Sequence, residues 1–512
     1  MQENIPLLDE TRRCWQQMEA FREGRERCKR YCYGDQWGDL VNVGTDWIRE
    51  EQYIRSQGSE PLKNNLIRRL VRQVLGLYRS ETKPLSCVAC GEHSAEHSAV
   101  FSALLSCNQR LNHADELNAR ALEEFLISGL TVQRKTYARR RGCVDCWTDM
   151  VSPARFFLDR GCSDLRGWDV EMLGEIHDMR FDALCQEFAR SGDDCRRLAD
   201  IYAPSTYLSR VRDVMSQMGD YTSQSAFLQP SGVGLCRVVE VWRKERVAVY
   251  LCHDRARGRL YYIDVTECPT SLLLDPQVER RWMALDEWHY YYLTPFGHVL
   301  AEGVSPYAHG GHPYVWKAYP LIDGEIHSFV ADVIDQQRYT NRLITLYDWV
   351  MRSSAKGVLL VPEESVPDGY SIDDIAEEWA RFNGVIPVRT RNGAQLPQQV
   401  SANAVNVGIN ELLQTQLNFM EDISGVTGAL QGKLGSTSVS GTLFEQQTHN
   451  ATLSQLDLLD TFRSFLVEGA EKDLSNMRQF YNHPRFLPTE DGQRQILYDP
   501  DEMRGVKGFV VS

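Results

Sequence analysis

The chain has 512 residues, with 56 Lys and Arg against 70 Asp and Glu, a formal net charge of −14. Hydrophobic residues make up 43% and charged residues 25%, which excludes a disordered chain, a collagen and a simple fibre and suggests about three or four packing units. The acidic balance argues against a protein that grips nucleic acid through net positive charge, because phosphate binding needs clustered Lys and Arg. Residues 1–10 hold acids and a proline where a secretion signal needs an apolar core. No apolar run approaches the ~18 residues of a membrane span. The 14 cysteines all fall between Cys14 and Cys268 and read as reduced, mostly buried thiols.

The chain opens helical. Asp9 is placed to cap a helix whose apolar positions Trp15, Met18 and Phe21 recur every third residue. It ends near Tyr33-Gly34-Asp35-Gln36-Trp37, where Gly34 permits a tight turn. A second helix, over 65–78, gathers Leu66, Ile67, Leu70, Val71, Val74, Leu75 and Tyr78 on one face, with arginines mostly off it, and Pro84 stops it. Two more helices are expected over 96–112 and 114–127. The middle is strand-rich: 132–139, 145–151, 155–158 and 169–178. A short helix through Phe188 and an irregular polar stretch over 191–232 follow. Next come a hairpin of 237–252 with 259–265 and a pair 287–293 with 298–301. The turn Thr294-Pro295-Phe296-Gly297 joins that pair.

The last third carries three long helices, over 325–355, 407–424 and 442–481. Between the first two lies a small mixed unit, 358–399. Its expected strands are Val358-Leu359-Leu360-Val361 and Val385-Ile386-Pro387-Val388, on either side of a helix over 372–382. Residues 425–441, with five glycines, form a flexible loop. No internal repeat of solenoid period occurs.

Three motifs invite chemistry. Gly428-Ala429-Leu430-Gln431-Gly432-Lys433 imitates a phosphate loop, but three residues rather than four separate the glycines. Leu434 also stands where a Ser or Thr is needed, and a helix rather than a strand precedes the loop. His93-Ser94-Ala95-Glu96-His97 fits the H-x-x-E-H pattern of inverted zinc proteases, yet no third ligand stands out, and a solvated helix start is the plainer reading. Cys87-x-x-Cys90 and Cys143-x-x-Cys146 are 52 residues apart (91–142), against ~15–20 in a zinc ribbon. His93 offers them a third ligand, but ordinary thiols at strand ends account for both pairs. No Gly-x-Ser-x-Gly occurs, and no carboxylate pair sits in an acid/base context. The chain reads as a non-enzyme with no cofactor. The rival reading, a zinc-dependent metalloprotease or hydrolase, rests on His93, Glu96 and His97.

The order of features carries more than any motif. It resembles the portal proteins of tailed bacteriophages, most closely those of P22-like short-tailed phages. Residues 33–37 are similar to the family's Y-x-G-x-Q-W element, and residues 65–76 resemble the helix that follows it. Asp332-Val333-Ile334-Asp335-Gln336 with Asn341 resembles the D-x-Q-x-x-x-N pattern of the stem helix, with Asp335 and either Gln336 or Gln337 as the matching residues. Ser424-Gly425-Val426-Thr427-Gly428, Gln431-Gly432 and Ser440-Gly441 resemble the passage before the last long helix.

The resemblance implies an α+β, mainly helical portal fold. Its parts would be a wing (1–324), two stem helices (325–356 and 403–424), a clip (357–402), a tunnel loop (425–441) and a long helix toward a crown (442–482). The segment 483–512 is short for a crown, so the crown is small or truncated. The family forms closed rings, usually of about twelve subunits, at one capsid vertex, where DNA is packaged and later ejected. The implied partners are other copies of the chain, double-stranded DNA in transit, the terminase large subunit, head-completion or adaptor and tail proteins, and the major capsid protein. No membrane is involved. The implied place is the virion portal vertex, and the host cytoplasm during assembly.

A clip of ~40 residues buries little core alone. Val358, Leu359, Leu360, Val361, Val385, Ile386 and Val388 are therefore expected to complete a sheet between subunits by strand addition. In the tunnel loop, Gln431, Lys433, Ser436 and Ser438 are the expected light contacts to DNA phosphates. The remaining structural alternative is a monomeric virion adaptor. In a ring the negative charge suits a conduit that does not hold what it conducts.

Overall fold

The computed structural model describes residues 3–81, 84–89, 95–159, 161–203, 226–255, 257–269, 277–356, 358–362, 365–380, 385–389, 397–400, 408–426, 453–488, 495–503 and 509–511. The chain divides into two compact units. One comprises Met1–Lys29, Leu70–Ala331 and Gly428–Ser512; the other comprises Arg30–Arg69 and Asp332–Thr427.

The larger unit is built on an antiparallel sheet. Its backbone is the 20-residue strand Leu235–Asp254, flanked by Val278–Leu293 on one side and Met172–Arg180 on the other. Val299–Val304 and Phe156–Leu158 close its two ends, and Arg259–Asp264 forms the expected hairpin with Leu235–Asp254. A second sheet orders Tyr314–Ala318, Leu130–Arg140 and Cys143–Val151. Val239, Val241, Leu173, Ile176, Phe156, Phe157, Tyr314 and Trp316 gather with Trp15 and Leu8 of the first helix in one core. At roughly 25 cal/mol per Å² of apolar surface, this burial is the main force that orders the unit.

Several expectations are corrected in detail. The first helix is Ile5–Gln17, capped by Asn4, whose Oδ1 accepts from the Leu7 amide at 3.2 Å; Asp9 is not the cap but an ion-pair partner of Arg12. The chain breaks at Met18, and Glu19–Tyr33 is a helix of its own. The strand over 287–293 begins nine residues earlier, at Val278, because it must match the long strand beside it. Tyr314–Ala318 has no counterpart in the expected elements: all five residues are buried, so no polar–apolar alternation marks it. The apolar end of the chain has a place here. Phe509–Val511 pairs antiparallel with Cys87–Ala89, and Val511 packs in one cluster with Phe101, Leu104, Leu474, Met477 and Tyr498.

Charge is buried in this unit only where it is paired. Fully buried Glu240 accepts from Trp242 Nε1 at 2.7 Å, meets His177 Nε2 at 2.7 Å and pairs with Arg134 at 3.0 Å. Burial alone would raise its carboxyl, but Arg134 and His177 outweigh that and hold it at about 2. Lys135 Nζ meets Asp473 Oδ2 at 2.6 Å and ties the helix Leu456–Phe480 to the second sheet.

The smaller unit contains the hairpin Leu40–Val43 with Asp46–Arg49, the helices Glu50–Ser56 and Ile372–Ala380, most of Phe329–Lys356, and Ile409–Ser424. Ile409–Ser424 starts and ends on glycines with left-handed backbone, Gly408 at φ +68° and Gly425 at φ +65°. Val358–Leu360 forms a ladder within the chain, antiparallel with Gln398–Val400. Residues 385–389 hold no strand, which corrects the expected strand at Val385, Ile386 and Val388. Pro387 lacks the amide a ladder needs, and Val385 is 80% exposed.

Candidate functional site

In the smaller unit a buried amide cluster fastens the segment after the second helix to the long helix Phe329–Lys356. The long helix presents Gln337, Asn341 and Thr345 at i, i+4 and i+8, one turn above another on a single face. All three are buried. Asn341 Nδ2 donates to Gln36 Oε1 at 2.7 Å, and Gln36 Nε2 donates to the Tyr31 carbonyl at 3.0 Å. Asn341 Oδ1 accepts from Gln337 Nε2 at 2.9 Å and from the Asn64 amide at 3.2 Å. Gln337 Oε1 accepts from the Leu66 and Ile67 amides at 2.9 and 3.3 Å. The start of Leu66–Glu81 is thus capped twice, locally by Asn65 Oδ1, which accepts from the Arg68 amide at 3.0 Å, and by Gln337, a side chain 271 residues away. Thr345 Oγ1 accepts from the Leu62 amide at 3.2 Å, and Trp37 Nε1 donates to the Leu62 carbonyl at 3.1 Å.

An ionic group stands beside these amides. Buried Glu50 pairs with Arg338 at 3.2 Å and with Arg342, whose Nε lies 3.0 Å away. Asp39 accepts from Tyr31 Oη at 2.9 Å and Arg30 at 3.0 Å. Buried amides and paired charges of this kind hold one register, because any slip leaves them unpaired. Two short sequence elements, Tyr33-Gly34-Asp35-Gln36-Trp37 and Asp335-x-Gln337-x-x-x-Asn341, are therefore two halves of one joint. Gln337, not Gln336, is the residue in register.

A family model described as Phage P22-like portal protein matches residues 8–503. The chain belongs to that family. No curated protein matches it. As a portal protein it is a component of the virion, the head-tail connection at a capsid vertex, and serves the passage of phage DNA. Nothing supports the metalloprotease reading: His93 and the Glu96 side chain lie outside the described residues, and among the described residues no group of His, Cys, Asp and Glu is placed to hold a metal ion. Cys87 and Cys146 are buried in one apolar cluster, where burial raises both thiols, Cys87 to about 11. Cys143 is exposed, and Cys90 lies outside the described residues. Among the described residues no helix is long and apolar enough to cross a membrane.

Of the residues expected to serve the portal, Gln431, Lys433, Ser436 and Ser438 lie outside the described residues. Val358, Leu359 and Leu360 stand on the short strand already described, and Val361 lies just beyond it. Sequence reading missed a second feature of the portal's smaller unit. Leu412, Phe419 and Ile423 fall seven and eleven residues apart on one stripe of Ile409–Ser424 and are 44, 48 and 47% exposed. On the long helix, Tyr339 and Leu346 repeat the seven-residue step and are also exposed, as are Tyr347 and Trp349. The heptad spacing was the available signal.

Proposed function

We propose that the chain works as one subunit of a closed ring of twelve copies that surrounds a DNA channel. The observation that carries this reading is the apolar stripe Leu412, Phe419 and Ile423, with Tyr339 and Leu346 on the other long helix. Large side chains left in water in heptad-spaced rows call for a partner surface. A second copy of the same chain, contacted head-to-tail, supplies it, and such contacts close into a ring when the rotation closes. In this reading 325–356 and 403–424 are the stem, 357–402 the clip, 1–324 the wing, 425–441 the tunnel loop, 442–482 the long helix toward the crown, and 483–512 the short end of the chain.

Val358, Leu359, Leu360 and Val361 offer a clip edge for strand addition from a neighbour. Gln431, Lys433, Ser436 and Ser438 face the DNA. Twelve copies at −14 each carry −168 formal charges, so the channel conducts DNA without gripping it. Terminase, adaptor and tail proteins and the major capsid protein dock on the outside, first in the host cytoplasm and then in the virion.

The test is assembly of the purified chain with and without Phe419→Glu and Leu412→Glu. Size-exclusion chromatography with light scattering should give a ring for the parent and monomers for both variants. A parent chain that stays monomeric at micromolar concentration would refute the reading.

A further inference from the structure

Within the larger unit, a cavity of about 980 Å³ lies between the helix Leu456–Phe480 and the strands beside it. Lys244, Lys317, Lys472, Arg463, His309 and His312 line it. They come from separate strands, a loop and the helix, so the cluster is made by folding rather than by a run of basic sequence. Backbone carbonyls hold each lysine in place. Lys244 Nζ donates to Trp168 O at 2.6 Å, Lys317 Nζ to Leu165 O at 3.0 Å, and Lys472 Nζ to Tyr314 O at 2.5 Å. Among the described residues one carboxylate, Glu468, is within ion-pair reach of these lysines, 3.3 Å from Lys317 and 3.9 Å from Lys472. The other acids on the wall, Asp286, Asp460 and Glu471, make no ion pair with them.

The histidines set the chemistry of what is missing. His309 Nδ1 accepts the Gly311 amide at 3.0 Å. A neutral ring then carries its proton on Nε2, and that nitrogen is buried with no acceptor. His312 is 8% exposed, and its Nδ1 is also buried without a partner. Burial first and then Lys472 lower both rings, His309 to about 4, so both are neutral at pH 7. The wall therefore offers fixed positive charge and an unused buried donor, and lacks an acceptor with several oxygens. Trp288 packs on His312 at 4.8 Å between ring centres and lies under Lys244 at 5.3 Å, which adds an aromatic surface.

We propose that this cavity binds a small phosphate-bearing anion, with His309 and His312 meeting its oxygens and Lys472, Lys317, Lys244 and Arg463 supplying the countercharge. Free phosphate and a mononucleotide share that chemistry. Isothermal titration of the full 512-residue chain at pH 7 with inorganic phosphate and with deoxyadenosine monophosphate tests it, alongside His309→Ala, Arg463→Gln and the surface control Arg196→Gln. The expected result is saturable binding that weakens roughly fivefold or more in the first two variants and is unchanged in the control. Thermal melting confirms that each variant is folded. Equal affinity for the two probes identifies the bare anion, and tighter binding of the nucleotide identifies a nucleotide site. Absence of saturable binding of both probes below about 10 mM, equal binding by all variants, or binding of a glutamate-rich peptide in place of phosphate would overturn the proposal.

Discussion

Asn341 donates its side-chain amide to the Gln36 carbonyl oxygen at 2.7 Å, 305 residues away in sequence and fully buried. That bond joins the two short elements that mark the portal family in this chain. Replacing Asn341 by Ala leaves Gln36 Oε1, Gln337 Nε2 and the Asn64 amide without this partner. Each unsatisfied buried group costs about 1–3 kcal/mol. The Asn341→Ala variant should lose about 3 kcal/mol or more of stability, and Gln36→Ala less. Urea denaturation measures both, and a double-mutant cycle should show coupling well above additivity, because the two residues touch.

Glu240 is the acid around which the core of the larger unit closes. Glu240→Gln keeps the shape but takes from half-buried Arg134 and from His177 the buried carboxylate that both of them meet. Losing one partner of a buried pair costs about 3–5 kcal/mol. The expected outcome is a large drop in the denaturation midpoint, whereas Arg196→Gln, at an exposed pair, should change it by less than about 0.5 kcal/mol.

Acid should weaken the same unit through Asp178. Burial would raise this carboxyl, but the Arg237 guanidinium at 2.8 and 2.9 Å and the Ser231 amide at 3.0 Å outweigh it and hold it at about 2. Its folded value lies below the ordinary value of about 4, so its stabilising effect is complete above pH 4 and is lost as pH falls through 2. The size of the effect is about 2–3 kcal/mol. A denaturation series from pH 6 to pH 2 should fall less steeply in Asp178→Asn than in the parent.

Lys135 and Asp473 form a buried pair between a strand and the helix Leu456–Phe480. Asp473→Ala alone strands the lysine and should cost about 3–5 kcal/mol. The double change Lys135→Met with Asp473→Leu removes both charges and should recover most of that loss. Thermal unfolding of the single and double variants measures the difference.

Periodicity made much of this fold legible. The apolar face of Leu66–Glu81 and the extended runs of Met172–Arg180 and Leu235–Asp254 gave those elements to within a few residues, whereas the start of Val278–Leu293 lies nine residues before the expected one. Tyr314–Ala318 escaped because burial on both faces erases alternation, and it brings Lys317 into the cavity described above. One of the two caps on Leu66–Glu81 escaped for another reason: capping rules look to the preceding residues, which supply Asn65, whereas the second oxygen comes from Gln337. The short motifs were visible as a family likeness, but their meeting at Gln36 and Asn341 is a fact of tertiary structure that no spacing encodes. Lys472, 155 residues from Lys317 in the chain, joins it at Glu468 in the same way.

The central claim is that twelve copies close into a ring. Native mass spectrometry of the purified chain tests it most directly. Twelve copies of 58.7 kDa predict one dominant species near 704 kDa, with a central hole in negatively stained images. A dominant species at 58.7 kDa, with no rings in the images, would contradict it.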